Sequence, residues 1–290
     1  MTTVRAAIPH RVKVAGRLTS VRFGSATAAG RQLPSFILVG AQRAGTTSLF
    51  RALMTHPLVF SANFYKGVNY FDVNYTRDFS WYQGHFPTAA FLRSRSLAHP
   101  GRPVTFEASG YYLFHPCSAE RMAQHLPDVR VLAMLRDPVE RAYSAYKHEV
   151  ARGFETESFE TAIELEDVRL DGEADRMVAD PGYRSFSHRH QAYLQRGQYA
   201  EQLERMRRFF PADRIHVIDS ESFFEQPEQT CAGVLDFLRL PRVLPSKFDR
   251  WNARPSSPMP ESTRTRLRAH FREHDNALAD LLGREPAWRT

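Results

Sequence analysis

One turn of the chain, Gly40 to Gly45, combines residue types that bind anions. It follows an apolar run at 36–39, which predicts a short buried strand, and it precedes a helical pattern at 46–53. Arg43 lies inside the turn. The N–H groups of a glycine-bounded turn converge, and a helix start adds roughly half a positive charge. We therefore expect this turn to bind a phosphate ester, and the alternative is a strand–helix turn without a ligand.

The spacing of the two glycines matches that of a P-loop, G-x-x-x-x-G-K-[ST]. The lysine of that motif is absent, because Thr46 stands in its place and Arg43 supplies a base from within the loop. An ATPase uses the lysine to contact the β- and γ-phosphates. The loop therefore predicts a phosphate-ester site without predicting ATP.

A second basic stretch follows the apolar run 129–135, which is the clearest buried strand in the sequence. Arg136 comes directly after this run, and Asp137 is suited to cap a helix that begins at Pro138 and carries Ser144. Ligands of open α/β sheets bind at the carboxyl ends of the strands. If the two strands are neighbours, Arg43 and Arg136 will face the same crevice.

The order of elements predicts an α/β fold with a mostly parallel central sheet flanked by helices. Further strands are expected at 103–107 and 214–218, and further helices at 199–210, 229–238 and 262–282. The acidic stretch 153–181 is predicted to be rich in loops, with one helix at most.

Composition predicts a basic flexible N-terminal tail, residues 1–33, before one domain at 34–290. The tail holds six Lys or Arg residues and no Asp or Glu, so it carries most of the net charge of +7. A nucleic-acid or membrane-surface arm is the alternative interpretation. We expect neither a transmembrane helix nor a signal peptide. Two cysteines, Cys117 and Cys231, indicate no disulfide framework, so a reduced, cytoplasmic protein is expected.

Aromatic residues are concentrated in one segment, where they make up ten of the 27 residues from Phe60 to Phe86. Such faces could line a cleft for an acceptor molecule, or they could form a lobe of the core. The bases between Arg184 and Arg196 would suit an anionic acceptor, or they form a solvated face. The sequence favours no particular acceptor and indicates no oligomeric state.

The two basic stretches together, GAQRAGTTSLFRAL and LRDPVERAYSAY, resemble the nucleotide-binding signatures of sulfotransferases that use 3′-phosphoadenosine-5′-phosphosulfate (PAPS). Other segments are similar to the heparan-sulfate-type branch and its bacterial relatives, namely NYFD, WYQGHFP, YYLFHP, YLQRGQYAEQLE and WNARP. The resemblance covers Pro34 to Trp288. It implies a P-loop-like three-layer fold. It also implies transfer of a sulfuryl group from PAPS, without a metal, to a hydroxyl or amine of a glycan, lipid or small-molecule acceptor.

The resemblance assigns roles to individual residues. Arg43, where the family usually has lysine, would bind the 5′-phosphate and the bridging oxygen, and Arg136 and Ser144 would hold the 3′-phosphate. The remaining nucleotide contacts would come from the backbone N–H groups of Ala44, Gly45 and Thr46, from the Thr47 hydroxyl, and from Trp251 and Arg254 in a late loop that closes over the nucleotide.

The chain departs from the family at the catalytic base. The heparan-sulfate enzymes carry a glutamate in a K-E-x-[HN]-F-F-D-like motif, but here Gly67 follows Lys66 at that position. We expect Glu107, at a strand end, to be a replacement base, with Lys66 assisting the departing charge. The alternatives are a Glu107 that pairs with a basic group and a solvated Lys66; His115 and His188 are weaker candidates for the base.

Three other functions compete with a PAPS-dependent sulfotransferase. A nucleotide kinase or NTPase with a degenerate P-loop is disfavoured by Thr46 at the lysine position. A non-catalytic PAPS-binding protein is compatible with Gly67 at the glutamate position. A nucleic-acid module has only the basic tail in its support, so no nucleic-acid partner is expected.

Overall fold

The computed structural model describes residues 19–63, 65–249, 251 and 258–289, and it contains one five-stranded sheet in which every strand pair is parallel. The spatial order of the strands is β2-β3-β1-β4-β5. In chain order the strands are β1 (Phe36–Gly40), β2 (Val59–Ser61), β3 (Val104–Glu107), β4 (Arg130–Leu135) and β5 (Ile215–Asp219). This is the mostly parallel α/β architecture that the sequence predicts.

Helices cover both faces of the sheet. They are α1 (Thr46–Leu53), α2 (Phe79–Gln83), α3 (Ala89–Ala98), α4 (Ser118–His125), α5 (Pro138–Val150), α6 (Phe159–Glu164), α7 (Glu166–Leu170), α8 (Glu173–Ala179), α9 (Phe186–His190), α10 (Tyr199–Arg207), α11 (Ser220–Glu225), α12 (Pro227–Phe237) and α13 (Glu261–Leu282).

Alternate residues of β1 enter two separate cores, one on each face of the sheet. Ile37 and Val39 pack into the core that contains α4 and α10 residues, whereas Phe36 and Leu38 pack against residues of α1 and α12. All five β1 residues are buried. A parallel strand covered on both faces requires a continuous apolar run, which explains why β1 and β4 are the strands most easily read from the sequence.

Strands β1 and β4 are direct neighbours, with Phe36 opposite Arg130 and Leu38 opposite Leu132. Their carboxyl ends therefore open at the same edge of the sheet. The Gly40–Gly45 turn and Arg136 both follow these ends, so the topology brings the two basic stretches together.

The acidic stretch 153–181 is more helical than its sequence predicts, because it contains α6, α7 and α8. Each helix is only five to seven residues long, which is too short for a clear periodic pattern. A few buried residues anchor each helix, among them Phe159 in α6, Leu170 in α7 and Met177 in α8.

The structure describes residues 19–33 of the basic N-terminal segment, and these residues contact the rest of the domain. Residues 19–26 are helical, and the Gly24 backbone packs against that of Gly84. Arg31 pairs with Thr88 in an isolated bridge and donates from Nη1 to the Phe86 carbonyl at 2.6 Å. Residues 1–18 lie outside the described range. Of the helices within that range, none has the length and apolar character needed to cross a membrane.

Candidate active site

The phosphate loop, residues 40–45, connects β1 directly to α1. Gly45 precedes the helix with φ of 90°, and Arg43 also adopts a positive φ, of 70°. A Cβ on Gly45 would lie 3.0 Å from the Phe224 ring and 3.1 Å from the Met134 methyl, so the loop packs tightly against these two side chains. The Ala44 N–H donates to the Ala41 carbonyl at 3.3 Å, and the Ser48 N–H donates to the Gly45 carbonyl at 2.9 Å, so both groups are engaged within the loop and the first turn of α1.

The two basic stretches are in direct contact. Arg43 donates from Nε to the Ser144 hydroxyl at 3.1 Å, and Arg136 donates from Nη1 to the Arg43 carbonyl at 3.3 Å. Asp137 caps α5 by accepting the Val139 N–H at 2.8 Å, which fixes the direction in which the helix leaves the strand. Three residues predicted to contact the nucleotide therefore form one cluster at the edge of the sheet.

Lys147 is a further cation of this cluster that sequence analysis did not single out. It lies on α5, with its ammonium 4.0 Å from the centre of the Tyr143 ring. Burial lowers its pKa, and the charges of Arg136 and Arg43 lower it further, although Glu140 opposes them. Its position three residues after Ser144 on the same helix was the available sequence signal.

Lys66 reaches the start of α1 from a separate segment of the chain. Its ammonium donates to the hydroxyls of Thr46 at 3.0 Å and Thr47 at 3.1 Å. Burial lowers the pKa of Lys66 to about 8, so the side chain is mostly charged at pH 7. Lys66 thus places a cation beside Thr46, the residue that occupies the Walker lysine position.

Backbone contacts hold the Lys66 segment against the end of β3. The Lys66 carbonyl accepts the Ala108 N–H at 2.8 Å, and the Asn69 N–H donates to the Ser109 hydroxyl at 3.0 Å. Between them, a Cβ on Gly67 would lie 2.5 Å from the Ala108 carbonyl oxygen. The glycine at the family's glutamate position therefore permits a backbone approach that no larger residue allows.

Glu107 lies at the end of β3 with no exposed surface. One carboxylate oxygen accepts the hydroxyls of Tyr82 at 2.9 Å and Tyr112 at 3.1 Å, and the other accepts the Val68 N–H at 2.6 Å and the Ser109 hydroxyl at 2.7 Å. Burial raises its pKa, and these hydrogen bonds act in the opposite direction. Both oxygens are engaged within the protein, so the carboxylate ties the Lys66 segment to the sheet.

The two histidines considered as weaker bases are also enclosed. Nδ1 of His188 shares a hydrogen bond of 2.7 Å with the Tyr111 hydroxyl, and its ring stacks on Phe114 at 4.2 Å. Burial lowers the pKa of His188 to about 3, so it is neutral at pH 7. His115 is buried as well, and its pKa is lowered by the same cause.

Asp72 is another buried carboxylate of this region, and burial raises its pKa to about 7.

A cavity of about 300 Å³ lies beside α1 and is lined partly by the late loop. The backbone N–H of Trp251 donates to the Ser48 hydroxyl at 2.9 Å, and the Arg51 guanidinium lies 4.6 Å from the centre of the Trp251 ring. Phe223 and Phe248 provide further apolar walls. Arg254, which the sequence also assigns to this loop, lies outside the described residues.

Most of the aromatic segment between Phe60 and Phe86 is core. Tyr70, Phe71 and Tyr82 are buried and contact one another. Tyr65 is 39% exposed, so it is one of the few rings of this segment that could meet an acceptor. Across the described ranges, no group of three or more His, Cys, Asp or Glu side chains is placed to hold a metal ion.

The fold and this cluster define a class: a P-loop-like α/β protein whose phosphate loop meets a second basic motif at the edge of the sheet. A model of the sulfotransferase domain matches residues 33–266, and the chain belongs to this family. It is therefore a transferase.

Individual relatives agree with this assignment. The chain is 29% identical to a sulfotransferase from Alicyclobacillus acidocaldarius of known crystal structure, with a TM-score of 0.66 over 89% of this chain and all of the other. It is 26% identical to the membrane-associated sulfotransferase kil1 of Dictyostelium discoideum, over 89% of this chain and 67% of that protein. It is 27% identical to mouse bifunctional heparan sulfate N-deacetylase/N-sulfotransferase 4, over 88% of this chain but only 31% of that protein.

Proposed function

We propose that the chain transfers a sulfuryl group from PAPS to a hydroxyl or amine of a glycan, lipid or small-molecule acceptor. The observation that carries the proposal is the contact between the two basic motifs, through Arg43, Ser144 and Arg136. A nucleotide with phosphates at both its 3′ and 5′ positions needs two anion sites a short distance apart. A nucleoside triphosphate has no 3′-phosphate for the second site to bind.

The proposed nucleotide site has three parts. Arg43 and the N–H groups at the start of α1 bind the 5′-phosphate, and Arg136 and Ser144 bind the 3′-phosphate through charged hydrogen bonds. The adenine ring occupies the cavity between α1 and Trp251, whose volume of about 300 Å³ is within the usual range for ligand pockets. Ser48 lies in the cavity wall and follows Thr46 by two residues in α1.

When bound, PAPS supplies an activated sulfuryl group, whose bond to the 5′-phosphate breaks as a bond to the acceptor oxygen or nitrogen forms. Arg43 and Lys66 hold positive charge where negative charge grows on the departing phosphate. Lys66 and the Thr46 and Thr47 hydroxyls already form a hydrogen-bonded group, so little rearrangement is required. The acceptor proton must leave to a base if the acceptor is an alcohol.

Two roles are open for Glu107 in this reaction. The role of base, expected from sequence, requires the acceptor to reach a carboxylate that is buried and accepts four hydrogen bonds. The role of positioning residue requires only the contacts already present, through which Glu107 holds Val68 and hence Lys66. We propose the positioning role, and the base role is the alternative that the Glu107→Gln variant decides.

We also propose an acceptor class and a cellular location. Several relatives of the chain are named as heparan sulfate enzymes, which supports a glycan acceptor. A cytoplasmic location is proposed from the cysteines, because Cys117 and Cys231 are both free thiols.

Incubation with PAPS labelled in its sulfuryl group and a panel of glycans, lipids and phenols tests the proposal. We expect transfer of label to at least one acceptor, and loss of transfer in Arg43→Met. Label transfer from γ-labelled ATP instead would favour the kinase alternative. Binding of PAPS without transfer to any acceptor would favour the non-catalytic binding protein.

A further inference from the structure

Arg196 is a buried cation next to the phosphate loop that the proposed reaction does not use. It belongs to a turn, Gln195–Gly197, just before α10. Glu166 accepts three consecutive N–H groups of the preceding backbone, including that of Leu194 at 2.7 Å. On the other side, a Cβ on Gly197 would lie 2.8 Å from the Phe271 ring. The turn is therefore held on both sides, and Arg196 projects from a rigid support.

The Arg196 side chain joins this support to the phosphate loop. Nη1 donates to the side-chain carbonyl of Gln42, and Nη2 donates to the carbonyls of His188 at 2.7 Å and Arg189 at 3.0 Å. The guanidinium lies 4.8 Å from the centre of the Phe114 ring. Gln42 is the residue before Arg43, so this contact acts directly on the loop.

The charge of Arg196 is not balanced by a close carboxylate. No Asp or Glu of the described ranges lies within ion-pairing distance, and Nε has no hydrogen-bond partner. Glu149 and Glu166 act on it only at longer range. Burial lowers its pKa to about 10, so it is charged at neutral pH. An unbalanced buried charge is costly, and a polyanion bound at the adjacent loop would offset that cost.

We propose that Arg196 is a positioning residue for the nucleotide: it fixes Gln42, and through it the phosphate loop, and it keeps a positive charge beside the bound phosphates. This inference rests on the proposed function, because it assumes that the loop binds a nucleotide. It differs from the roles of Arg43 and Arg136, since Arg196 is enclosed by protein and acts through Gln42.

The test is a calorimetric titration with 3′,5′-ADP, the desulfated product, of wild type, Arg196→Met, Arg196→Lys and Gln42→Ala. Arg196→Met is expected to weaken binding about 10-fold or more, since it removes the charged hydrogen bond to Gln42 and a cation near the loop. Arg196→Lys keeps the charge and should recover part of the loss. Adding Gln42→Ala to Arg196→Met should cost little more, because both changes break the same contact.

Arg205→Met is the matched control. Arg205 also donates to two backbone carbonyls, of Leu113 and Phe114, and also has a buried Nε without a partner. Among the described residues, it makes no hydrogen bond to the phosphate loop. We expect its affinity for 3′,5′-ADP to match that of the wild type.

Three outcomes would overturn the inference: wild-type affinity in Arg196→Met, equal weakening in Arg205→Met, or additive losses in the double variant. In these cases the wild type still binds 3′,5′-ADP, so the proposed function stands. If the wild type does not bind 3′,5′-ADP, both fail together. If Arg196→Met does not fold, Arg196→Lys and Gln42→Ala decide, and wild-type affinity in both would reject the role.

Discussion

At the scale of single residues, the candidate site departs from the P-loop motif at Thr46 and from the sulfotransferase family at Gly67. The P-loop lysine is replaced by Thr46, but Lys66 brings an ammonium to within 3.0 Å of its hydroxyl from a distant part of the chain. The family's catalytic glutamate is replaced by Gly67, and the nearby carboxylate of Glu107 is enclosed. The cationic part of the site is thus rebuilt, whereas a solvent-accessible carboxylate is not rebuilt at the Gly67 position.

The lowered pKa of Lys66 predicts a pH-dependent affinity for the nucleotide. Because this pKa is about 8, Lys66 loses its charge as the pH rises above 8, and the association constant for 3′,5′-ADP should fall between pH 7 and 10. The second pKa of a phosphate monoester is about 6, so the phosphates of the ligand do not titrate in this range. Titrations across this pH range should show the fall in wild type and a flatter profile in Lys66→Arg, which stays charged. Equal profiles would contradict the role of Lys66.

The Glu107→Gln variant separates the two roles of Glu107. A glutamine side chain has only one oxygen, so it cannot accept hydrogen bonds from both the Val68 N–H and the tyrosine hydroxyls. The positioning role therefore predicts a loss of about 1–3 kcal/mol in the free energy of unfolding. Turnover per folded molecule should then fall by less than about 10-fold. The same contacts are lost if Glu107 is the base, but turnover per folded molecule should then fall by roughly 10²-fold or more. Urea unfolding and turnover measured on the same preparation distinguish these results.

At the scale of elements, the sequence predicts the strongly periodic or apolar segments and misses the short ones. Strands β1 and β4 and helices α1 and α13 are found within one or two residues of their predicted limits. Strand β2 has only three residues, and α7 only five, so neither offers enough positions for a period to be detected. The cap at Asp137 was predictable because its signal is local.

The contacts of the site were less predictable than its motifs. Lys66 and Arg196 were visible in the sequence as basic residues, but their partners Thr46 and Gln42 are 20 and 154 residues away. Only the tertiary fold brings these pairs together. The enclosure of Glu107 was also hidden, since it depends on Tyr82, 25 residues away, as well as on the nearby Tyr112.

The close approach at Gly67 predicts that the family glutamate cannot be restored by substitution alone. Gly67→Ala should lower the free energy of unfolding by about 1–3 kcal/mol, because its Cβ would meet backbone at 2.5 Å. Gly233→Ala is the matched control. Gly233 lies in α12 with nothing within 4 Å of its Cβ position, so alanine there should stabilise by about 0.5–1 kcal/mol. Thermal unfolding of both variants checks this, and a stable Gly67→Ala would contradict the geometry.

At the scale of the whole molecule, the sheet brings together two motifs that are distant in the sequence. The pairing of β1 with β4 brings Arg43 and Ser144, 101 residues apart, into hydrogen-bonding distance. The third contributor, the Lys66 segment, is attached to the end of β3, which is the other neighbour of β1. Three adjacent strand ends therefore converge on one site, as expected for ligand binding in open α/β sheets.

The most direct test of this account is a titration with 3′,5′-ADP in metal-free buffer, comparing wild type with Arg136→Ala. A lost charged hydrogen bond is worth about 1.5–3 kcal/mol, so the variant should bind roughly 10- to 150-fold more weakly. That result would show that the second basic motif and the phosphate loop bind one nucleotide. No binding by the wild type, or equal affinity of the two proteins, would contradict the central claim.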